Sequence, residues 1–203
     1  MDDLLIKTLQ RVARFYDERK VGDVGPLGFR RSTDLKKLTG CLDHLLDEGI
    51  IDPAETRFLD LGCADGRVNV FLSYTVKYSV GIELDDWTLE EYVPLRSELD
   101  GILHSEGRLS LPENISLFHG DSMDSAVHET IARKTGVGFE DFDLFYTYLI
   151  MHEEFAELIA EKAKTGSVFM VYGVHKILPR YQGLKHLKNL SPMEGVVGVY
   201  RKI

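Results

Sequence analysis

The stretch Phe58-Leu59-Asp60-Leu61-Gly62-Cys63-Ala64-Asp65-Gly66-Arg67, continuing into Val68-Asn69-Val70-Phe71-Leu72, decides the fold. Its first residues form the apolar run of a short buried strand and its last ones have helical spacing. The small residues between them therefore make a tight strand-to-helix turn. Gly62 and Gly66 carry no Cβ and can take φ > 0, so the backbone can approach a bound molecule closely. A second apolar run, Tyr78-Ser79-Val80-Gly81-Ile82, ends at Glu83. That separation, roughly twenty residues, is where a nucleotide-binding α/β unit places the acid that accepts hydrogen bonds from ribose hydroxyls.

Two ligand classes use such a turn, and the charges separate them. A dinucleotide needs its pyrophosphate at the helix N-terminus, with the spacing G-x-G-x-x-G and little negative charge nearby. Here the order is Gly62-x-Ala64-x-Gly66-Arg67, and acids bracket the turn at Asp60 and Asp65. These acids repel a pyrophosphate but suit a ligand bearing an ammonium and a sulfonium, which is S-adenosylmethionine. A nicotinamide-dependent oxidoreductase is correspondingly disfavoured.

Asp60-Leu61-Gly62-Cys63-Ala64-Asp65-Gly66 with Glu83 resembles motifs I and II of the class I S-adenosylmethionine-dependent methyltransferases. Ala64 stands at the family's middle glycine, and is expected to tolerate an ordinary φ there. After a third strand, Asn114 to Phe118, the run His119-Gly120-Asp121-Ser122-Met123 resembles motif III. The resemblance spans about residues 58 to 172. It implies that Asp60, Gly62, Cys63, Ala64 and Gly66 line the methionyl portion of the cofactor. It also implies that Glu83 meets the ribose hydroxyls, with Leu84, Asp85 and Trp87 nearby, and that Asp121, Ser122 and Met123 meet the adenine. Asp121 also suits a helix N-cap for the segment beginning at Met123.

Length and composition agree with an enzyme of this kind. A chain of 203 residues holds one α/β domain with a full core, expected over residues 51–203, preceded by an extension over 1–50 that covers the site. With 44% hydrophobic and 28% charged residues and no apolar run of bilayer length, a soluble globular protein is expected. The start Met1-Asp2-Asp3-Leu4-Leu5 lacks the order of a secretory signal, so a cytoplasmic location is expected with no membrane partner. Cys41 and Cys63 are the only cysteines, too few for a metal cluster, and neither a structural disulfide nor a metal is expected. The net charge of −9 disfavours nucleic acid as a partner, although Lys176, Arg180, Lys185, His186, Lys188, Arg201 and Lys202 form a local basic set.

Along the chain, residues 2–20 read as an amphipathic helix, and Val21 to Gly28 as a glycine- and proline-broken mobile loop. Phe29 and Arg30 are reasonable lid residues in that loop. A second helix runs to about Glu48, capped by Ser32 or Thr33. The helix opened by Asp85-Asp86-Trp87 meets Pro94, where a kink or restart is expected. Further strands are expected at 143–150 and 166–172, and two extended runs, 184–190 and 196–201, flank a turn at Ser191 to Gly195. The predicted fold is a doubly wound, seven-stranded, mostly parallel sheet with a C-terminal antiparallel hairpin, the Rossmann-like methyltransferase architecture.

Ligands of open α/β sheets lie beyond the carboxyl ends of the strands, so the tip from Tyr146 to Met151 is expected to face the transferable methyl group. Transfer from a sulfonium needs alignment above all, and a base only where the nucleophile carries a proton. No Asn or Asp followed by Pro-Pro-aromatic stands at the tip, which lowers adenine and glutamine as targets. The rings of Tyr146 and Tyr148 could surround a cationic amine, or could simply pack within the sheet. His152 is the candidate base, because neutral imidazole accepts protons near neutral pH. The tip resembles a branch of small protein-lysine methyltransferases. The expected activity is methyl transfer to an amine, with protein lysine favoured. A small-molecule N- or O-methyltransferase and a non-catalytic cofactor-binding protein are the alternatives.

Overall fold

The computed structural model describes residues 1–19, 21–25, 28–30, 32–174, 178–190 and 197–203, with segments 21–25 and 28–30 as backbone only. The chain opens with α1 (Asp3–Asp17), whose N-cap Asp2 accepts a hydrogen bond from the Leu5 amide. Strands β1 (Val21–Gly25) and β2 (Gly28–Arg30) follow and pair antiparallel. A loop was expected over Val21 to Gly28, but the described residues of this stretch belong to paired strands, whose main-chain pairing needs little from the side chains; Pro26 and Leu27 lie outside the described residues. The side chains of the expected lid residues Phe29 and Arg30 lie outside the described residues. Helix α2 (Leu35–Asp47) is capped by Asp34, which accepts from the Lys37 amide at 2.9 Å, so the cap is neither Ser32 nor Thr33. Asp17 joins the two helices by accepting from the Leu35 and Lys36 amides at 2.8 and 3.0 Å.

The core then alternates β3 (Arg57–Leu61), α3 (Arg67–Leu72), β4 (Tyr78–Glu83), α4 (Asp86–Glu90), α5 (Tyr92–Ser105) and β5 (Ile115–His119). After these come α6 (Ser125–Thr135), β6 (Leu144–Tyr148), α7 (His152–Lys162), β7 (Val168–Tyr172), β8 (Leu184–His186) and β9 (Val197–Lys202). The expected restart is at Tyr92, which leaves Pro94 in the first turn of α5, where a missing N–H costs no helical bond. Helix α6 begins later than expected, because Asp124 and not Asp121 caps it. Of the run Leu184 to Leu190 only the first residues form a strand, and Lys188–Leu190 is a 3-10 turn. The connecting turn Ser191 to Gly195 lies outside the described residues.

The seven strands lie in the order β5-β4-β3-β6-β7-β9-β8. All neighbours from β5 to β7 are parallel, and β9 runs antiparallel to both β7 and β8. This is the predicted mostly parallel sheet with an antiparallel end. Alternation along the strands feeds two cores. Phe58, Tyr146 and Met170 pack with α1, α2, α3 and α5 on one face, while Leu59, Phe145 and Phe169 pack with α6 and α7 on the other. The first two helices therefore share a core with the sheet: Leu9, Val12, Leu35, Leu38 and Leu42 are all within 1% of full burial. The order of strand addition reverses at β3, from which the chain winds outward to β4 and β5 before returning to β6 on the other side, and this opens a crevice at the carboxyl ends of the parallel neighbours β3 and β6. Among the described residues no helix is long and apolar enough to cross a membrane.

Candidate active site

The turn from β3 into α3 places its backbone at the crevice. Gly62 has φ 148°, and a Cβ built there would meet no atom within 4 Å, so the position faces open space. Ala64 has φ 50°. The expected ordinary φ is thus corrected: the turn needs the left-handed conformation at this place, and alanine adopts it at a cost of order 1–2 kcal/mol. The Ala64 amide donates to Glu83 Oε2 at 2.9 Å and the Asp85 amide to Glu83 Oε1 at 3.0 Å, which fixes the carboxylate at the end of β4. Gly66 has a different reason to be glycine, since its Cβ would lie 2.8 Å from both Leu117 and Tyr92. It caps α3 and lines neither of the two hollows described below. The side chain of Cys63 is buried against Gly81, and burial raises its thiol well above the ordinary range.

The two acids of the turn diverge. Asp65 and Arg67 form a buried bidentate pair, with Nη2–Oδ2 at 2.8 Å and Nε–Oδ1 at 3.0 Å. Arg67 Nη1 donates to Ser32 Oγ at 2.9 Å, and its guanidinium lies 5.6 Å from the Tyr16 ring centre. Asp65 is therefore neutralised within the fold and does not face a ligand as expected. Asp60 is 1% exposed and its Oδ1 has no hydrogen-bond partner among the described residues. Burial first, then Glu83 and Asp65, raise its carboxyl well above the ordinary range.

Two adjoining hollows occupy the crevice. The larger, about 180 Å³, is lined by Gly62, Ala64, Glu83, Leu84, Asp121 and Ser122, with Tyr148, Ile150 and Met151 from the tip after β6. The smaller, about 40 Å³, is lined by Asp60, Cys63, Arg67, Tyr146 and Tyr148 together with Ser32 and Thr33. His119 Nε2–H donates to the Leu84 carbonyl at 3.0 Å, and Asp121 Oδ1 accepts from the Met123 amide at 2.8 Å. Ser122 is buried and its carbonyl accepts from His128 at 2.8 Å. Met123 packs into the second core and lines neither hollow.

Of the three expected catalytic side chains, Tyr148 alone lines both hollows; its ring lies 5.5 Å from that of Tyr172. Tyr146 is 2% exposed, with its hydroxyl 2.5 Å from Thr33 Oγ1. His152 opens α7 but lines neither hollow: its Nδ1 is hydrogen-bonded to the Tyr181 hydroxyl at 2.8 Å. Sequence reasoning missed Ser32 and Thr33, which local signals offered only as caps. It also missed Arg67 as a structural ion, although an arginine ahead of the apolar run Val68 to Leu72 implies a buried charge that needs a partner. The described members of the basic set lie elsewhere: Lys185 and Arg201 are cross-strand neighbours at the sheet edge, while Lys176 lies outside the described residues. Among the described residues no group of His, Cys, Asp and Glu could hold a metal ion.

No protein-family model and no curated protein sequence matches the chain. Solved structures do. The tRNA (m1A58) methyltransferase TrmI of Aquifex aeolicus aligns over 96% of this chain and 76% of its own, at 11% identity and TM-score 0.53. The Escherichia coli protein yhhF, described as a methyltransferase, aligns over 87% of this chain and 89% of its own, at 15% identity and TM-score 0.53. An RNA methyltransferase of Salinibacter ruber, solved with S-adenosyl-L-homocysteine, aligns over 80% and 89% at 16% identity and TM-score 0.49. The chain has the fold of the class I methyltransferases.

Proposed function

We propose that this protein is an S-adenosylmethionine-dependent methyltransferase whose acceptor is an amine, in the first place a protein lysine. The observation that carries the reading is an unpartnered, buried Asp60 Oδ1 beside the open space at Gly62. A buried carboxylate without a partner calls for a cation, and the absent Cβ leaves room for one. Bound S-adenosylmethionine supplies a methyl group activated on a sulfonium. Asp60 offers its carboxylate to the ammonium end, and Glu83, held by two backbone amides, accepts from the ribose hydroxyls. Leu84, Asp121 and Ser122 border the adenine.

The acceptor enters at the tip after β6. Tyr148 presents its ring there, and contact between an aromatic face and a cationic amine contributes about 0.5–2 kcal/mol depending on solvent access. A net charge of −9 favours a basic acceptor over a polyanion. Glu83 and Asp121 are the acids lining the larger hollow among the described residues, and a carboxylate is too weak a base to take a proton outright from an alkylammonium. The amine therefore loses its proton to water before transfer, and turnover should rise with pH toward the lysine range near ~10.

The test is incubation of the pure protein with methyl-labelled S-adenosylmethionine and a cell extract, separated into protein, RNA and small-molecule pools. Label on protein lysine that disappears with Asp60→Ala is the expected result. Label in RNA or small molecules would overturn the acceptor, and cofactor binding without any label would overturn the activity.

A further inference from the structure

The smaller hollow combines two opposite kinds of recognition. Asp60 contributes a buried carboxylate oxygen with no partner. The segment entering α2 contributes the hydroxyls of Ser32 and Thr33, and the start of α3 contributes the Arg67 guanidinium. Ser32 is positioned by a donor that leaves its own proton free, and Thr33 is paired with a second hydroxyl. Ser32 Oγ accepts from Arg67 Nη1 at 2.9 Å, and Asp65 occupies only the Nε and Nη2 edge of that guanidinium. Thr33 Oγ1 lies 2.5 Å from the Tyr146 hydroxyl, a pair in which either oxygen can donate; burial keeps Tyr146 protonated, and with Tyr146 as the donor the Thr33 proton is left for a ligand. A carboxylate oxygen with no partner among the described residues, beside two hydroxyls able to donate, matches a zwitterion, the head of an α-amino acid.

We infer that Ser32 and Thr33 bind the carboxylate of the cofactor's methionyl arm while Asp60 binds its ammonium. This rests on the S-adenosylmethionine reading above. The segment entering α2 thus supplies half of the amino-acid site, and Arg67 and Tyr146 are positioning residues that aim the two hydroxyls. The assignment accounts for three consecutive attachments of this segment to the sheet: Ser32 to Arg67, Thr33 to Tyr146, and the Asp34 amide to the Tyr172 hydroxyl at 3.3 Å. It also gives the N-terminal helices a role in holding the cofactor, separate from any contact with the acceptor.

Decarboxylated S-adenosylmethionine isolates the contact, because it lacks the carboxylate and keeps the ammonium, sulfonium, ribose and adenine. Calorimetric titration of both ligands into the wild type, Ser32→Ala, Thr33→Val and Thr33→Ser is the experiment. Each of the first two variants should weaken S-adenosylmethionine about tenfold, the scale of one hydrogen bond to a charged group, and leave the decarboxylated ligand within about twofold of wild type. Thr33→Ser should retain most of the wild-type affinity. An equal loss for both ligands would reduce the segment to a structural role and overturn the inference, as would unchanged affinity for both in Ser32→Ala and Thr33→Val. If the wild type bound neither ligand, the cofactor reading itself would fall.

Discussion

Asp60 at the entrance of the turn and Asp65 at its exit are each 1% exposed, but only Asp65 is satisfied within the protein, meeting Arg67 at 2.8 Å. Oδ1 of Asp60 meets nothing among the described residues. Burial alone therefore does not distinguish a structural acid from a binding one; the presence of a fixed counter-charge does. The exit of the turn is closed by its own ion pair and by the attachment of Arg67 to Ser32, so it acts as scaffold. The entrance keeps a buried carboxyl whose ionisation is opposed by burial and whose Oδ1 has no partner among the described residues, an arrangement that is useful only if a ligand completes it.

The largest effect should come from the scaffold end. Arg67→Ala leaves Asp65 as an unpaired buried charge and frees Ser32, and should lower stability by about 3–5 kcal/mol in denaturant unfolding. Adding Asp65→Leu to Arg67→Met should recover most of that loss, since an apolar pair of similar volume removes the buried charge altogether. A single Arg67→Ala variant as stable as the parent would erase the contrast between the two ends.

Asp60→Asn tests the other end and should move binding instead of stability. Because burial raises the Asp60 carboxyl in the folded protein above its unfolded value, its contribution to stability is fully present in acid, below the unfolded value. That contribution is lost as pH rises through the raised folded value. The amide has no such charge to bury, so the ligand-free variant should unfold at an equal or higher denaturant midpoint at neutral pH. Its affinity for S-adenosylmethionine should fall at least about tenfold. The wild type should also release protons on binding wherever Asp60 is still protonated, which appears as a dependence of the calorimetric heat on the buffer's ionisation enthalpy. Loss of stability without loss of affinity would make Asp60 a second Asp65.

The contrast marks where sequence reasoning succeeds. The order of strands and helices from β3 to β7 followed from apolar periodicity and from the small residues of one turn, because those signals are local, whereas the pairing of β1 with β2 did not. Placement at the crevice followed for Glu83 and Tyr148, which end strands whose direction the topology fixes. Partnership did not follow: that Asp65 is consumed by Arg67, or that Thr33 reaches Tyr146, depends on contacts across the fold that no spacing encodes. Gly66 and Gly62 read alike in the motif, yet one is small for Leu117 and Tyr92 and the other for the hollow.

Ala64 carries a smaller effect of the same origin. At φ 50° it holds the amide that clamps Glu83, and glycine adopts this conformation without the Cβ penalty. Relief of about 1–2 kcal/mol is offset by the greater freedom of glycine in the unfolded chain, roughly 0.5–1 kcal/mol. Ala64→Gly should thus be stabilised by up to about 1.5 kcal/mol. Thermal unfolding measures it, and a clear loss of stability would show that the alanine methyl packs to advantage.

His152 should give the smallest change in turnover. Like Asp65 it is a polar group already engaged by the fold, through Nδ1 to Tyr181, and it lines neither hollow. If the acceptor amine is deprotonated by water, His152→Ala should leave kcat/KM within about threefold of wild type, a difference below one kcal/mol in barrier height. The pH profile should keep its rise toward the lysine range in the variant. A loss of a hundredfold that imidazole added to the buffer restores would instead mean that the ring leaves Tyr181 during turnover and takes the proton itself, so that a partner seen in the resting protein can be exchanged for substrate.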